Sequence, residues 1–243
     1  MSTRKKKKNG LVYLLLLILL VLCIFIFLGI KQQKDALAAR PMAAKLEPWK
    51  LDVAFSGKDF SEASLSQIQC QKDGYVDDSY VEIVNQQLSV IPSYLQDAFV
   101  KDGWSVYVTE LDIGQTYYPG QFDMVMATTN YDESRILIED RMDAVRESPI
   151  HEVGHWFDIY LGLVSNTEIF TGIYNEESAA FIRAYGTDCV RDEMEFFAEG
   201  FWYYIVNPAK LQSVSPQLYQ FIHSLYCYFR IHRTWYEYSS IFA

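Results

Sequence analysis

His151-Glu152-Val153-Gly154-His155, running on into Trp156-Phe157-Asp158-Ile159-Tyr160, is the stretch on which the reading of this chain turns. Ser148-Pro149 just before it predicts a helix start, because serine can cap a helix and proline fits its first turn. On a helix, positions four apart lie one above the other on the same face. His151 and His155 can therefore aim two imidazoles at one point, as a tetrahedral Zn²⁺ requires with bonds of about 2.0–2.1 Å. Glu152 falls beside that point rather than at it, where a general base can take a proton from an attacking water. The chain has only four histidines. Half of them fall in this pentapeptide, which favours a built site over two solvated side chains.

A catalytic zinc takes a third protein ligand and keeps one position open. No further histidine follows closely, so a carboxylate from another helix is expected. Glu176 and Glu195 compete. Glu195 and Glu199 sit four apart in Glu193-Met194-Glu195-Phe196-Phe197-Ala198-Glu199-Gly200-Phe201. Two carboxylates on so apolar a helix are costly unless paired or bound to metal. This favours Glu195 as the ligand and Glu199 as an outer partner of a ligating histidine. Glu176 reads as an acid in a helix first turn, a common place for one. Asp158 is either another outer partner or a link from helix to loop. His223 and His232 read as ordinary core or surface histidines.

Upstream of the motif the apolar spacing is helical over residues 49–101, as in Val81-Ile83-Val84-Leu88. Trp104 to Thr109, Phe122 to Ala127 and Arg135 to Glu139 read instead as strands, separated by turn-rich Gly114 to Gly120 and Thr128 to Glu133. Arg135–Glu139 is the candidate sheet edge for binding an extended substrate. After Pro149 three helical blocks are expected: 149–162, 176–184 with 192–206, and 215–230. The fold class is α+β, with a small, mostly antiparallel sheet and C-terminal helices that carry the chemistry.

The N-terminus reads differently. Leu11 to Ile30 carry no charge, and Arg4 and Lys5 to Lys8 stand before them. Twenty helical residues rise about 30 Å, the thickness of a bilayer core, and positive flanks stay cytoplasmic. The expected organisation is a cytoplasmic segment 1–10, a transmembrane signal anchor 11–30, a stalk 31–47 and an extracellular domain 48–243. The alternative is secretion after cleavage near Ala38, in Ala36-Leu37-Ala38. Beyond residue 34, 14 Lys/Arg face 31 Asp/Glu, a net −17 that argues against nucleic acid as a partner. Cys70, Cys189 and Cys227 show no metal-binding spacing and allow one disulfide.

The string His151 to Gly162 with Glu195-Phe196-Phe197-Ala198-Glu199-Gly200-Phe201 resembles the catalytic domain of anthrax lethal factor and the related secreted Pro-Pro endopeptidases. The resemblance implies a zincin-like fold of the gluzincin type, Glu195 as third ligand, Glu152 as base, and an upstream tyrosine donating to the oxyanion. Tyr185, followed by Gly186, matches that tyrosine. It lies ten positions before Glu195, further than the family pattern, so Tyr174 stays open as the alternative. The implied function is a membrane-anchored, extracellular zinc endopeptidase acting on peptides or proteins. The contrasting reading is an exported binding or adhesion domain with a structural or vestigial zinc.

Overall fold

The computed structural model describes residues 65–120, 125–187 and 189–231. Four short strands, β1 (Cys70–Asp73), β2 (Ser105–Thr109), β3 (Ala127–Asn130) and β4 (Arg135–Glu139), hydrogen-bond in the order β1-β2-β4-β3. The helices are α1 (Asp78–Ser89), α2 (Ser93–Lys101), α3 (Ile113–Tyr117), α4 (Met142–Tyr160), α5 (Glu168–Tyr185), α6 (Glu193–Val206), α7 (Pro208–Val214) and α8 (Pro216–Ile231). A 3-10 turn, Val164–Asn166, joins α4 to α5. The α+β class expected from the sequence is present, but two parts of that expectation need correcting.

The sheet is not mostly antiparallel. β1 pairs parallel with β2, and β2 parallel with β4; only β3 and β4 are antiparallel. One physical reason is the missed first strand; another is that β2 pairs with β4 rather than with β3, its neighbour in sequence. A parallel pair needs a crossover connection, usually helical, and α1 and α2 supply it between β1 and β2. In β1 only Cys70 is buried, so the strand carries no apolar alternation to betray it. Arg135–Glu139 is likewise not an edge: β4 is paired on both sides, and β3 has the free edge. Of the strand expected at Phe122 to Ala127, only Ala127 belongs to β3; residues 121–124 lie outside the described residues.

The second correction concerns the membrane. No helix among the described residues is long and apolar enough to cross one. The expected anchor at 11–30, and the cytoplasmic segment and stalk around it, lie outside the described residues. The single-pass anchor and the extracellular placement built on it are therefore withdrawn.

β-branched residues make the sheet's buried face: Val106, Val108, Ile136 and Ile138 are fully enclosed. α4 packs on β3 and β4, and α1 packs on β1, β2 and α4. α4 starts at Met142, nearly two turns before the expected Ser148-Pro149, and Pro149 lies inside it. Proline there leaves the carbonyl four residues back without its helical donor. Burial of Ala144, Val145, Pro149, Val153 and Trp156 along one stripe offsets that loss. α5 likewise begins at Glu168, capped by Thr167, so Glu176 sits mid-helix rather than in a first turn. Glu176 accepts from the Gln217 side chain at 2.6 Å, well away from any ligand role.

α6 lies along α4 at very short range, and Gly154 is the reason. A Cβ at Gly154 would stand 3.0 Å from the Ala198 Cα and 3.1 Å from its carbonyl oxygen. Backbone cannot swing aside as a flexible side chain can. Gly154→Ala is therefore expected to cost about 1–3 kcal/mol. In a domain of this size that lowers Tm by about 2–4 °C per kcal/mol, read by thermal unfolding. An unchanged Tm would show that the two helices separate freely.

Candidate metal centre and active site

The close packing of α4 on α6 sets the chemistry, because α4 carries the histidines and α6 the carboxylates. One turn of α4 separates His151 from His155 and puts both on one face, with their Nε2 atoms 3.1 Å apart. From α6, the Glu195 Oε2 comes within 3.2 Å of His151 Nε2 and 3.6 Å of His155 Nε2. These three residues form a group able to hold a metal ion. Four ligands at about 2.0–2.1 Å around a tetrahedral ion stand about 3.3–3.4 Å from one another. The three observed edges scatter about that value, so the donor set fits zinc in both chemistry and size.

Charge supports the fit. Burial acts to strip the proton from His151, but the carboxylates of Glu195, Glu152 and Glu199 outweigh it and lift its pKa to about 9. Burial acts to protonate Glu195 in turn, yet its bonds to His151 and His155 hold it well below the usual carboxylate range. A cation is thus strongly favoured at this spot. A proton on His151 meets that demand when metal is absent.

Glu152 is buried beside the triangle, and its Oε2 lies 2.6 Å from the Thr129 hydroxyl on β3. Glu199 stands behind His151, its Oε2 4.0 Å from Nδ1. Its other oxygen accepts from the Thr187 hydroxyl at 3.0 Å and from the Cys189 thiol. Burial, then the neighbouring Glu199, pushes that thiol up to about 12, so it remains a donor. Asp158 takes the helix-to-loop role: its carboxylate accepts from the Ser165 amide at 2.9 Å and hydroxyl at 2.5 Å. Full burial raises Asp158 to about 6 despite those bonds. The Nδ1 of His155 has no protein partner among the described residues.

The triangle opens into a cavity of about 600 Å³. Thr128 and Thr129 of β3 form one wall, and Tyr185, Trp202 and Tyr203 form another. Tyr185 stacks on Tyr203 with centroids 3.6 Å apart, and its buried hydroxyl has no partner among the described residues. Burial pushes that hydroxyl up to about 12, which keeps its proton in place as a donor. Tyr174, the alternative, is off the cavity wall; its hydroxyl donates to the Arg191 carbonyl at 3.3 Å. Cys70, Cys189 and Cys227 are all free thiols. His223 lies away from the triangle, bonded to the Tyr204 hydroxyl at 2.8 Å, and His232 is outside the described residues.

The anthrax toxin lethal factor N- and C-terminal domain family matches residues 57–225, well over half of the sequence. The chain belongs to the anthrax lethal factor family of zinc metallopeptidases. Among solved structures, the Pro-Pro endopeptidase PPEP-2 from Paenibacillus alvei aligns with a TM-score of 0.51 at 21% identity. That alignment covers 65% of this chain and 97% of the other. At this identity the likeness is one of fold. No curated protein matches the sequence.

Three residues of this lethal factor-like site carry no signal in the sequence. Thr129 belongs to a Thr-Thr pair in a segment that reads as a turn. Thr187 and Cys189 lie between two helices, with no spacing that ties them to Glu199. Contacts between residues 10 to 23 positions apart are what bring them in.

Proposed function

We propose that this chain is a zinc-dependent endopeptidase that hydrolyses peptide bonds in peptide or protein substrates. The observation that carries the reading is the triangle of His151, His155 and Glu195, open to a cavity, with the buried Glu152 carboxylate beside it. A zinc ion held by these three residues would supply Lewis acidity, polarising the scissile carbonyl and making water acidic near pH 7. Glu152 takes the proton of the attacking water and passes it to the leaving amine. The negative charge of Glu199, 4.0 Å behind His151 Nδ1, favours an electron-rich imidazole. The Tyr185 hydroxyl, still protonated at neutral pH, donates to the oxyanion that develops in the transition state.

The free edge of β3 runs along the cavity and can add an extended peptide by main-chain hydrogen bonds. Three protein ligands facing a cavity also suit a catalytic ion better than a structural one, which is closed by four. The name of the Paenibacillus alvei neighbour suggests proline around the scissile bond as the first preference to try. The test is a peptide library, including proline-rich members, incubated with purified protein. Cleavage that a chelator abolishes and zinc restores supports the reading; a zinc-loaded protein that cleaves nothing overturns it.

A further inference from the structure

The general base proposed above is not free to turn. Glu152 is tied to the sheet through Thr129 of β3. The Thr129 Oγ1 lies 2.6 Å from Glu152 Oε2 and 3.1 Å from the Glu152 carbonyl oxygen. One hydroxyl proton can serve one of those acceptors at a time, and a charge-assisted bond to a carboxylate is the stronger. Both residues are largely buried at the cavity wall, which limits the water that can compete for the bond.

Alternation along β3 fits this division of labour. Thr129 points its hydroxyl to α4, and the preceding Thr128 shares a 2.6 Å hydrogen bond with the Tyr118 hydroxyl instead. Among the described residues the main chain of the same strand pairs on one side only, with β4.

We infer that Thr129 is a positioning residue: it fixes the Glu152 carboxylate and couples it to the free edge of the strand on which a substrate would lie. The inference rests on the peptidase reading, and it adds a physical link between docking and chemistry. A peptide that orders β3 also orders the base. Loss of the hydroxyl removes that bond and leaves the Glu152 carboxylate free to take other rotamers. A misplacement of about 1 Å in a reacting group costs about 10²-fold in rate.

The test compares Thr129→Val, which keeps the β-branched shape without the donor, with Thr129→Ser, which keeps the donor. Each full chain is zinc-loaded and assayed on one cleaved peptide beside wild type and Glu152→Gln. Crystal structures of the two threonine variants are determined in parallel. Thr129→Val is expected to lower kcat about 10²-fold with KM within a few-fold and zinc content unchanged. Its Glu152 carboxylate moves off the wild-type position. Thr129→Ser restores both the rate and that position. Wild-type kcat in Thr129→Val, or a Glu152 carboxylate that stays in place there, overturns the inference. If wild type cleaves nothing, the peptidase reading fails, and the carboxylate positions still decide whether Thr129 holds Glu152.

Discussion

Glu152→Gln is expected to lower kcat by about 10²–10⁴-fold, the usual worth of a positioned general base. Zinc content and KM should stay near wild type. The expectation follows from geometry. Glutamine has the shape of glutamate, and its carbonyl oxygen can accept the same Thr129 hydroxyl that Glu152 Oε2 accepts at 2.6 Å. Nothing in the triangle of His151, His155 and Glu195 loses a contact. What is lost is a group able to take a proton from water and give it to the leaving amine. Full activity in Glu152→Gln, measured on metal-loaded protein, would show that some other group is the base.

Glu195→Ala is expected to weaken zinc binding by more than 10²-fold. Loss of a mere outer partner typically costs 10–100-fold in affinity or activity, and Glu195 faces the metal position directly. Its Oε2 stands 3.2 and 3.6 Å from the two Nε2 atoms. Glu199→Ala should fall within the smaller range, because its carboxylate lies 4.0 Å behind His151 and not among the ligand atoms. The pH dependence has a definite sign. His151 holds a proton up to about 9 in the metal-free protein, and zinc must displace it. Below that pH, wild-type zinc affinity should therefore drop as pH falls. Zinc titrations against a competing chelator separate the two variants and give the slope. Equal affinities for Glu195→Ala and wild type would remove Glu195 from the ligand set.

What could be read from sequence depended on how far apart the cooperating residues lie. His151, Glu152 and His155 share one helix, so the 3.6-residue period alone places them. Glu195 and Glu199 were legible for a different reason: two acids in a run of phenylalanines need an explanation. Asp158 left two options, and only the fold showed its carboxylate bound to Ser165 in the turn after α4. β1 was illegible because an edge strand with a single buried residue has no alternation to see. That omission hid the helical crossover, and the pairing of β2 with β4 instead of β3 hid the second parallel pair. Thr129 was hidden twice, in a strand read as a turn and in a contact that only tertiary packing creates. The N-terminal apolar run lies outside the described residues. A clear pattern invited a membrane anchor and an extracellular address, yet no described helix can cross a bilayer.

The most direct measurement is anomalous diffraction at the zinc edge on crystals of zinc-loaded protein. One peak is expected, bonded at about 2.0–2.2 Å to His151 Nε2, His155 Nε2 and a Glu195 oxygen, with Glu152 beside it and not bound. Zinc seated elsewhere, or a triangle that stays empty in zinc-saturated crystals, would contradict the account at its centre.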